Sequence, residues 1–121
     1  GQLTNYHQWR RRLERMGHRF QSECDSEIIA VYLAQHLEDG LPLETAMKHS
    51  LDDFDGVFTY LVATGSELGI AKDEMAAKPL VLMESDNLVA MASEEIAIRA
   101  LVGTEVETRD PFEREVLTWQ V

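Results

Sequence analysis

One carboxylate stands out among the residues whose type and position could do chemistry. Asp25 lies in the acidic stretch Glu23-Cys24-Asp25-Ser26-Glu27, between an extended segment and the start of a helix. A carboxylate at such a place can cap the helix by accepting free backbone N–H groups, or it can face the ammonium group of a ligand. The residue types alone favour capping and leave the second role open.

Cys24, the single cysteine of the chain, is the only thiol that could serve as a nucleophile. The carboxylate of the next residue disfavours the thiolate that nucleophilic attack requires. We therefore interpret Cys24 as a small, partly buried side chain. A single cysteine also excludes an internal disulfide, which suits a reducing compartment.

The remaining candidates for metal or phosphate chemistry fail on spacing. The carboxylates of Leu51-Asp52-Asp53-Phe54-Asp55 do not have the spacing of a calcium loop, and we interpret them as a solvated helix end. The segment Gly65-x-x-x-Gly69 lacks the Lys and the Ser or Thr of a phosphate loop, and we interpret it as a hairpin turn. No Cys or carboxylate lies at a metal-ligand spacing from any of the four histidines, which are His7, His18, His36 and His49. We expect no metal site.

The charge balance argues against nucleic acid as a partner. Asp and Glu number 22 against 11 Lys and Arg, a net charge of -11 that repels a phosphate backbone. The stretch Arg10-Arg11-Arg12, followed by Arg15 and Arg19, is the one basic segment. Its pattern fits the solvated face of an amphipathic helix better than a phosphate-binding patch.

Length and composition indicate one globular domain, which we assign to residues 1–121. Of its 121 residues 45% are hydrophobic and 27% are charged, which is ordinary for a folded protein. No apolar run approaches the ~20 residues of a membrane span, and no signal-peptide pattern is present. We expect a cytoplasmic protein without a membrane partner.

Three helices are predicted in the first half of the chain. Asn5 and Gln8 have capping-box spacing, and Gly17 ends the first helix. The second runs from Ser26 to Glu38, and the third follows Pro42. The residues expected on their buried faces are Tyr6, Trp9, Leu13 and Met16, then Ile28, Ile29, Tyr32, Leu33 and Leu37, and finally Leu43, Ala46, Met47 and Leu51.

Strands dominate the second half. Two antiparallel hairpins are predicted, 57–63 with 68–71 around a turn at 64–66, and 79–83 with 88–92 around a turn at 85–87. Ser93 is expected to cap a fourth helix, and extended segments are expected at 102–106 and 116–121. The predicted buried face of that helix consists of Ile96, Ala97, Ala100 and Leu101. Helices first and strands afterwards indicate an α+β fold.

The opening third of the chain resembles the class II glutamine amidotransferases. The resemblance lies in the residue types and spacing of Gly1, Asn5, Leu13, Gly17, Phe20 and Asp25-Ser26-Glu27-Ile28-Ile29, with Asp25 following Gly1 by 24 positions. These look like the stretch from the oxyanion-hole Asn-Gly pair to the Ser-Asp-Ser/Thr-Glu element of that family. Later landmarks match more loosely at Asp55-Gly56, Lys78-Pro79-Leu80 and Ala92-Ser93-Glu94. The pattern is most similar to the small subunits related to glutamate synthase, including that of N-methylglutamate synthase.

The resemblance implies a fold and a reaction. The fold would be the N-terminal-nucleophile hydrolase sandwich, two antiparallel sheets between helical layers, with residues 1–121 as the C-terminal part of the domain. In that family an N-terminal cysteine attacks the side-chain amide of glutamine, its own α-amino group moves the proton, and an Asn side chain and a Gly N–H hold the oxyanion.

Two residues of this chain match functional positions of the family. Gly1 matches the oxyanion-hole glycine and would also touch the substrate, and Asp25 matches the aspartate that holds the ligand's α-ammonium group. The matching positions for the nucleophilic cysteine, the carboxylate-binding arginine and the oxyanion-hole asparagine would all lie before Gly1. Cys24 cannot replace that nucleophile, because it matches the residue just before the binding aspartate. We expect the chain as given not to hydrolyse glutamine.

Two functions remain open. The first is part of a glutaminase domain that passes ammonia to a glutamate synthase-like partner, with no cofactor of its own, since FMN and iron–sulfur centres would belong to the partner. The second is a non-catalytic subunit that binds glutamine or glutamate, or that serves assembly.

Overall fold

A computed structural model describes residues 2–73, 75, 79–103 and 107–121. The helices of the first half and the strands of the second half follow the predicted α+β order, except that an unpredicted two-residue strand precedes the first helix. The helices are α1 (Tyr6–Arg15), α2 (Asp25–Glu38), α3 (Leu43–Asp53) and α4 (Glu95–Val102). The strands are β1 (Gln2–Leu3), β2 (Gly56–Val57), β3 (Thr59–Ala63), β4 (Glu67–Lys72), β5 (Val81–Glu84), β6 (Val89–Ala92) and β7 (Val116–Gln120).

The strands of the described residues form three small antiparallel sheets. β1 pairs with β2, β5 pairs with β6, and β4 lies between β3 and β7 in a three-stranded sheet. Both predicted hairpins are confirmed, with turns between Ala63 and Glu67 and between Glu84 and Val89. The predicted strand 57–63 is divided, because Val57 pairs with β1 and the residues from Thr59 onwards pair with β4.

The core lies between the first three helices and the three-stranded sheet. α3 packs against β4 and β7, α2 packs against α3, and α1 packs against α2. The predicted buried faces of α2 and α3 are confirmed, except that Leu37 is only half-buried. For the first helix, Leu13 is buried as predicted, and Tyr6 and Trp9 are half-buried. Met16, which follows the end of α1, is exposed, contrary to prediction. The buried cluster consists of Leu3, Leu13, Ile28, Ile29, Tyr32, Leu33, Leu43, Ala46, Met47, Leu51, Phe54, Phe58 and Ala71.

Gly69 is a packing residue and not part of a turn, which corrects one prediction. It lies within β4, where a Cβ atom would come within 2.7 Å of the Sδ atom of Met47. The missing side chain therefore lets α3 approach the sheet closely. The turn itself lies at 64–66, where Gly65 has open space around it.

The buried face predicted for α4 is wrong. Ile98 is the buried residue of this helix, whereas Ile96 is 73% and Leu101 is 84% exposed. The eight-residue helix carries apolar side chains on more than one face, so its sequence alone did not identify the packed side. The extended segment predicted at 102–106 is also wrong at its start, since Val102 ends α4, and residues 104–106 lie outside the described residues.

The predicted helix caps do not form. α1 begins after Asn5 and α4 begins after Glu94, and neither has a side-chain capping hydrogen bond. Asn5 instead bonds the far end of α3, through its Nδ2 atom to the Asp53 carbonyl at 2.9 Å and through its Oδ1 atom to the Asp55 N–H at 3.1 Å. Tertiary contacts thus use a side chain that local spacing assigns to a cap.

Among the helices of the described residues, none combines the length and the apolar composition that crossing a bilayer requires.

Candidate functional site

Asp25 is the first residue of α2, and its carboxylate reaches across to β1. The Leu3 N–H donates to Asp25 Oδ2 at 2.7 Å. Cys24 precedes the helix in an extended conformation, with φ -81° and ψ 136°. This hydrogen bond therefore joins helix α2 to strand β1. It differs from the helix capping that the residue types favoured. The negative charge also lies favourably at the positive end of the helix.

A cavity of about 440 Å³ opens beside Asp25. Its size is in the range of small-molecule sites. Asp25 and Ser26 supply polar groups at the helix start, and side chains of α2 and β3 supply apolar walls. The residues that line it are Gln2, Leu3, Asp25, Ser26, Ile29, Ala30, Leu33, Phe58, Thr59, Tyr60, Leu61 and Val62.

The cavity wall includes a hydroxyl group that sequence reasoning missed. Thr59 Oγ1 is buried and has no hydrogen-bond partner among the described residues. The neighbouring Tyr60 hydroxyl is 2.6 Å from Ser50 Oγ, and burial raises the pKa of Tyr60 to about 12. Thr59 therefore lines the cavity and carries a buried hydroxyl group whose hydrogen bond is not satisfied by the described residues.

The loop before α2 is held by Glu27. Its carboxylate accepts the Gln21 N–H at 2.7 Å, the Ser22 N–H at 2.8 Å and the Ser22 hydroxyl at 2.6 Å. The hydrogen bonds from Ser22 and Gln21 lower the pKa of Glu27 below its ordinary value. Sequence reasoning treated Glu27 only as part of the family-like stretch. The groups that donate to Glu27 belong to Gln21 and Ser22, which lie before the helix. Helix periodicity in the sequence therefore does not predict these hydrogen bonds.

Asp53 joins α1, α2 and the end of α3. Its carbonyl accepts both the Asn5 amide and the Trp9 indole N–H, the latter at 3.0 Å, and its carboxylate accepts the Tyr32 hydroxyl at 2.5 Å. Burial, followed by the hydrogen bond to Asp53, raises the pKa of Tyr32. Asp53 is half-buried, so the interpretation of 51–55 as a solvated helix end fits Asp52 and Asp55 but not Asp53.

The other predicted site residues have different outcomes. Gly1 lies outside the described residues, so its role in the oxyanion hole and in substrate binding stays a prediction. The part of the chain that the structure describes contains no group of three His, Cys, Asp or Glu side chains able to hold a metal ion. Cys24 is exposed, whereas a partly buried side chain was expected.

Comparison with known proteins identifies the family of this arrangement. Residues 1–100 match the glutamine amidotransferase domain. A putative glutamine amidotransferase from Methanothermobacter thermautotrophicus is 44% identical over 96% of this chain and 38% of the relative. The glutamine amidotransferase-like protein GlxB of Rhizobium meliloti is 40% identical over 98% of this chain and 38% of the relative. The chain thus spans less than half the length of these relatives.

More distant similarity extends to a further curated protein and to a solved structure. The amidophosphoribosyltransferase of Methanocaldococcus jannaschii is 31% identical over 93% of this chain and 24% of the relative. The glutamine phosphoribosylpyrophosphate amidotransferase from B. subtilis, complexed with ADP and GMP, superposes with a TM-score of 0.80 at 28% identity, covering 96% of this chain and 25% of that chain.

The structural match confirms the fold that the resemblance implied. The described helices and strands have the arrangement found in the N-terminal-nucleophile hydrolase domain of that enzyme. The assignment of residues 1–121 to the C-terminal part of the domain stays a prediction. With the fold and the domain match in agreement, the chain belongs to the glutamine amidotransferase family.

Proposed function

We propose that residues 1–121 form the part of a glutaminase domain that holds the α-ammonium group of glutamine, with Asp25 as the binding carboxylate. The observation that carries this proposal is the position of Asp25, half-buried at a cavity of about 440 Å³ and fixed by the Leu3 N–H at 2.7 Å. A carboxylate in this setting selects an amino acid over a simple amide, because a charge-assisted hydrogen bond is stronger than a neutral one.

The two oxygens of Asp25 have separate roles in the proposal. Oδ2 accepts the Leu3 N–H and so sets the distance between α2 and β1. Oδ1 faces the ligand's ammonium group. Because β1 directly follows Gly1 in the chain, the same carboxylate links the binding of the amino acid to the strand that would carry the oxyanion glycine.

The reaction class is hydrolysis of glutamine to glutamate and ammonia. The chemistry requires a nucleophile, and the proposal assigns none to residues 1–121, since exposed Cys24 lies next to the binding carboxylate. Ammonia would pass to a synthase partner similar to glutamate synthase. Any iron–sulfur centre would belong to that partner, because one cysteine cannot supply the thiolates of a cluster.

Calorimetry and a glutaminase assay on the full-length protein test the proposal. We expect glutamine or glutamate to bind, and Asp25→Ala to weaken binding about 10- to 100-fold, as expected for one hydrogen bond to a charged group. Asp25→Asn keeps an acceptor for Leu3 but removes the charge, so it should weaken binding while the fold is preserved. Asp86→Ala, an exposed carboxylate in the β5–β6 turn, is the matched control.

Two results would contradict the proposal. Unchanged affinity in both Asp25 variants would remove Asp25 from the binding site. Absence of binding in the parent protein would leave no role for the cavity in glutamine recognition. Binding without glutamate release would instead favour the non-catalytic subunit as the function.

A further inference from the structure

The segment that leads into Asp25 has no regular secondary structure. Residues 16–24 connect α1 to α2, and Gln21, Ser22 and Cys24 are exposed. Such a segment does not by itself hold one conformation, because water satisfies its backbone groups as well as the protein does. Contacts that hold this segment in one conformation also determine where α2 begins. They therefore affect how Asp25 faces the cavity.

Glu27 fixes this segment from the helix side. It lies two residues after Asp25, in the first turn of α2, and its two carboxylate oxygens accept three hydrogen bonds of 2.6 to 2.8 Å from Gln21 and Ser22. Ser22 Oγ in turn accepts the Cys24 N–H at 3.2 Å. A chain of contacts therefore runs from Glu27 through Ser22 to the residue that precedes Asp25.

Arg10 fixes the same segment from the side of α1. Its guanidinium group donates to the Ser22 carbonyl at 2.6 Å and to the Tyr6 hydroxyl at 2.8 Å, and it lies 4.7 Å from the centre of the Phe20 ring. Ser22 is thus held through its N–H and hydroxyl by Glu27 and through its carbonyl by Arg10. The charged side chains of Arg10 and Glu27 thus hold the segment between α1 and α2 from both sides.

These contacts order the segment more than they stabilise the fold. The donors on Gln21 and Ser22 are exposed, so water replaces Glu27 when its carboxylate is removed, and the core of the domain is untouched. What is lost is the fixed path of residues 20–24. The effect should therefore appear in ligand binding and not in the melting temperature.

We propose that Glu27 is the positioning residue of the Asp25 site: it holds Gln21 and Ser22 so that the first turn of α2 presents the Asp25 carboxylate to the ligand's ammonium group. The inference rests on the proposed function, since it assigns the ammonium group to Asp25. Glu27 itself does not line the cavity.

Steady-state glutamine hydrolysis by the full-length protein, with calorimetry, tests this role. Glu27→Ala should raise KM about 10-fold or more while kcat changes less than about 3-fold, because the ammonium contact is made equally in the ground state and the transition state. Glu27→Gln keeps one acceptor oxygen and should recover part of the lost affinity. Glu38→Ala, an exposed carboxylate at the other end of α2, is the control and should match the parent.

The possible outcomes separate this inference from the proposed function. A parent protein that neither binds nor hydrolyses glutamine contradicts the proposed function, and this inference fails with it. An active parent with unchanged KM in Glu27→Ala overturns the positioning role alone. If Glu27→Ala does not fold, Ser22→Ala and Glu27→Gln decide: a raised KM in either supports the role, and an unchanged KM in both overturns it.

Discussion

At the scale of single residues, side chains of α1 and α2 contact each other and the end of α3. These contacts hold the helices beside the site in position. The Trp9 ring lies 5.2 Å from the Tyr32 ring and 5.6 Å from the Phe54 ring, both at edge-to-face angles, and its N–H reaches the Asp53 carbonyl. Trp9 therefore joins an aromatic cluster and a hydrogen-bond junction in one side chain. A substitution can remove the hydrogen bond while most of the ring contacts remain.

Trp9→Ala should lower the free energy of unfolding by about 3 kcal/mol or more, because it removes the ring contacts and the donor together. Trp9→Phe keeps most of the ring contacts and should cost about 1 kcal/mol for the lost hydrogen bond. Urea unfolding followed by circular dichroism measures both. A melting temperature of Trp9→Ala within a degree of the parent would show that the ring contacts do not contribute to stability.

Residue types identified Asp25 but could not identify what it touches. Its position before an apolar stretch and its distance from Gly1 are visible in the sequence, whereas its partner, the Leu3 N–H, is 22 residues away and belongs to a backbone group that every residue carries. The same holds for Asn5, whose partner Asp53 is 48 residues away. Local spacing assigned Asn5 to a cap because nothing local reveals such a contact.

At the scale of elements, β1 depends on a glycine in β2. Leu3 pairs with Gly56, where φ is +135° and a Cβ atom would lie 2.0 Å from the Gln2 carbonyl oxygen. No side chain fits at that distance, and few residues adopt that backbone conformation. The pairing that brings the Leu3 N–H to Asp25 thus requires glycine at position 56.

Gly56→Ala should displace β1, destabilise the protein by about 3 kcal/mol and weaken glutamine binding, since both strain and a backbone clash arise. Gly65→Ala is the matched control, because it lies in an open turn with no atom within 4 Å of a Cβ. Its stability and affinity should equal those of the parent. Thermal unfolding and calorimetry on both variants measure the effect. Unchanged affinity for glutamine in a folded Gly56→Ala variant would show that the position of β1 does not affect binding.

Sequence patterns predicted α2, α3 and the two hairpins well, but they did not predict β1 or the buried face of α4. α2 and α3 carry dense apolar residues at helical spacing, so their buried faces could be read directly. β1 has two residues and exists only through its pairing with β2, so no local pattern announces it. α4 carries four bulky apolar residues, Ile96, Ile98, Leu101 and Val102, and the helix packs against β6 with Ile98 buried.

At the scale of the whole molecule, carboxylates with lowered pKa values make the stability depend on pH in the acid range. The pKa of Glu115 is lowered mainly by its hydrogen bond to Arg109, and that of Glu95 mainly by its hydrogen bond to Thr108. Each contribution is present above the pKa of the unfolded chain, about 4.3 for Glu. Each is lost as the pH falls through the folded pKa, because the unfolded state then binds more protons.

The free energy of unfolding should therefore fall as the pH drops below about 4.3, the ordinary pKa of Glu. Glu115→Gln should make this fall shallower, since one carboxylate with a lowered pKa is gone. Asp86 is exposed and has no hydrogen-bond or ion-pair partner among the described residues, so Asp86→Ala should keep the slope of the parent. Urea unfolding between pH 7 and pH 3 measures these slopes. Equal slopes for the parent and Glu115→Gln would contradict the assignment.

The hydrogen bond from the Leu3 N–H to Asp25 makes the Leu3 amide proton sensitive to changes at the Asp25 carboxylate. An amide that donates to a carboxylate at 2.7 Å is strongly deshielded, and its resonance moves when the charge on that carboxylate is shared with a second donor. The Leu3 amide signal in a nitrogen–proton correlation spectrum would thus register an arriving ammonium group directly. It would do so whether or not any chemical step follows, so the binding proposed for Asp25 could be followed apart from the proposed hydrolysis.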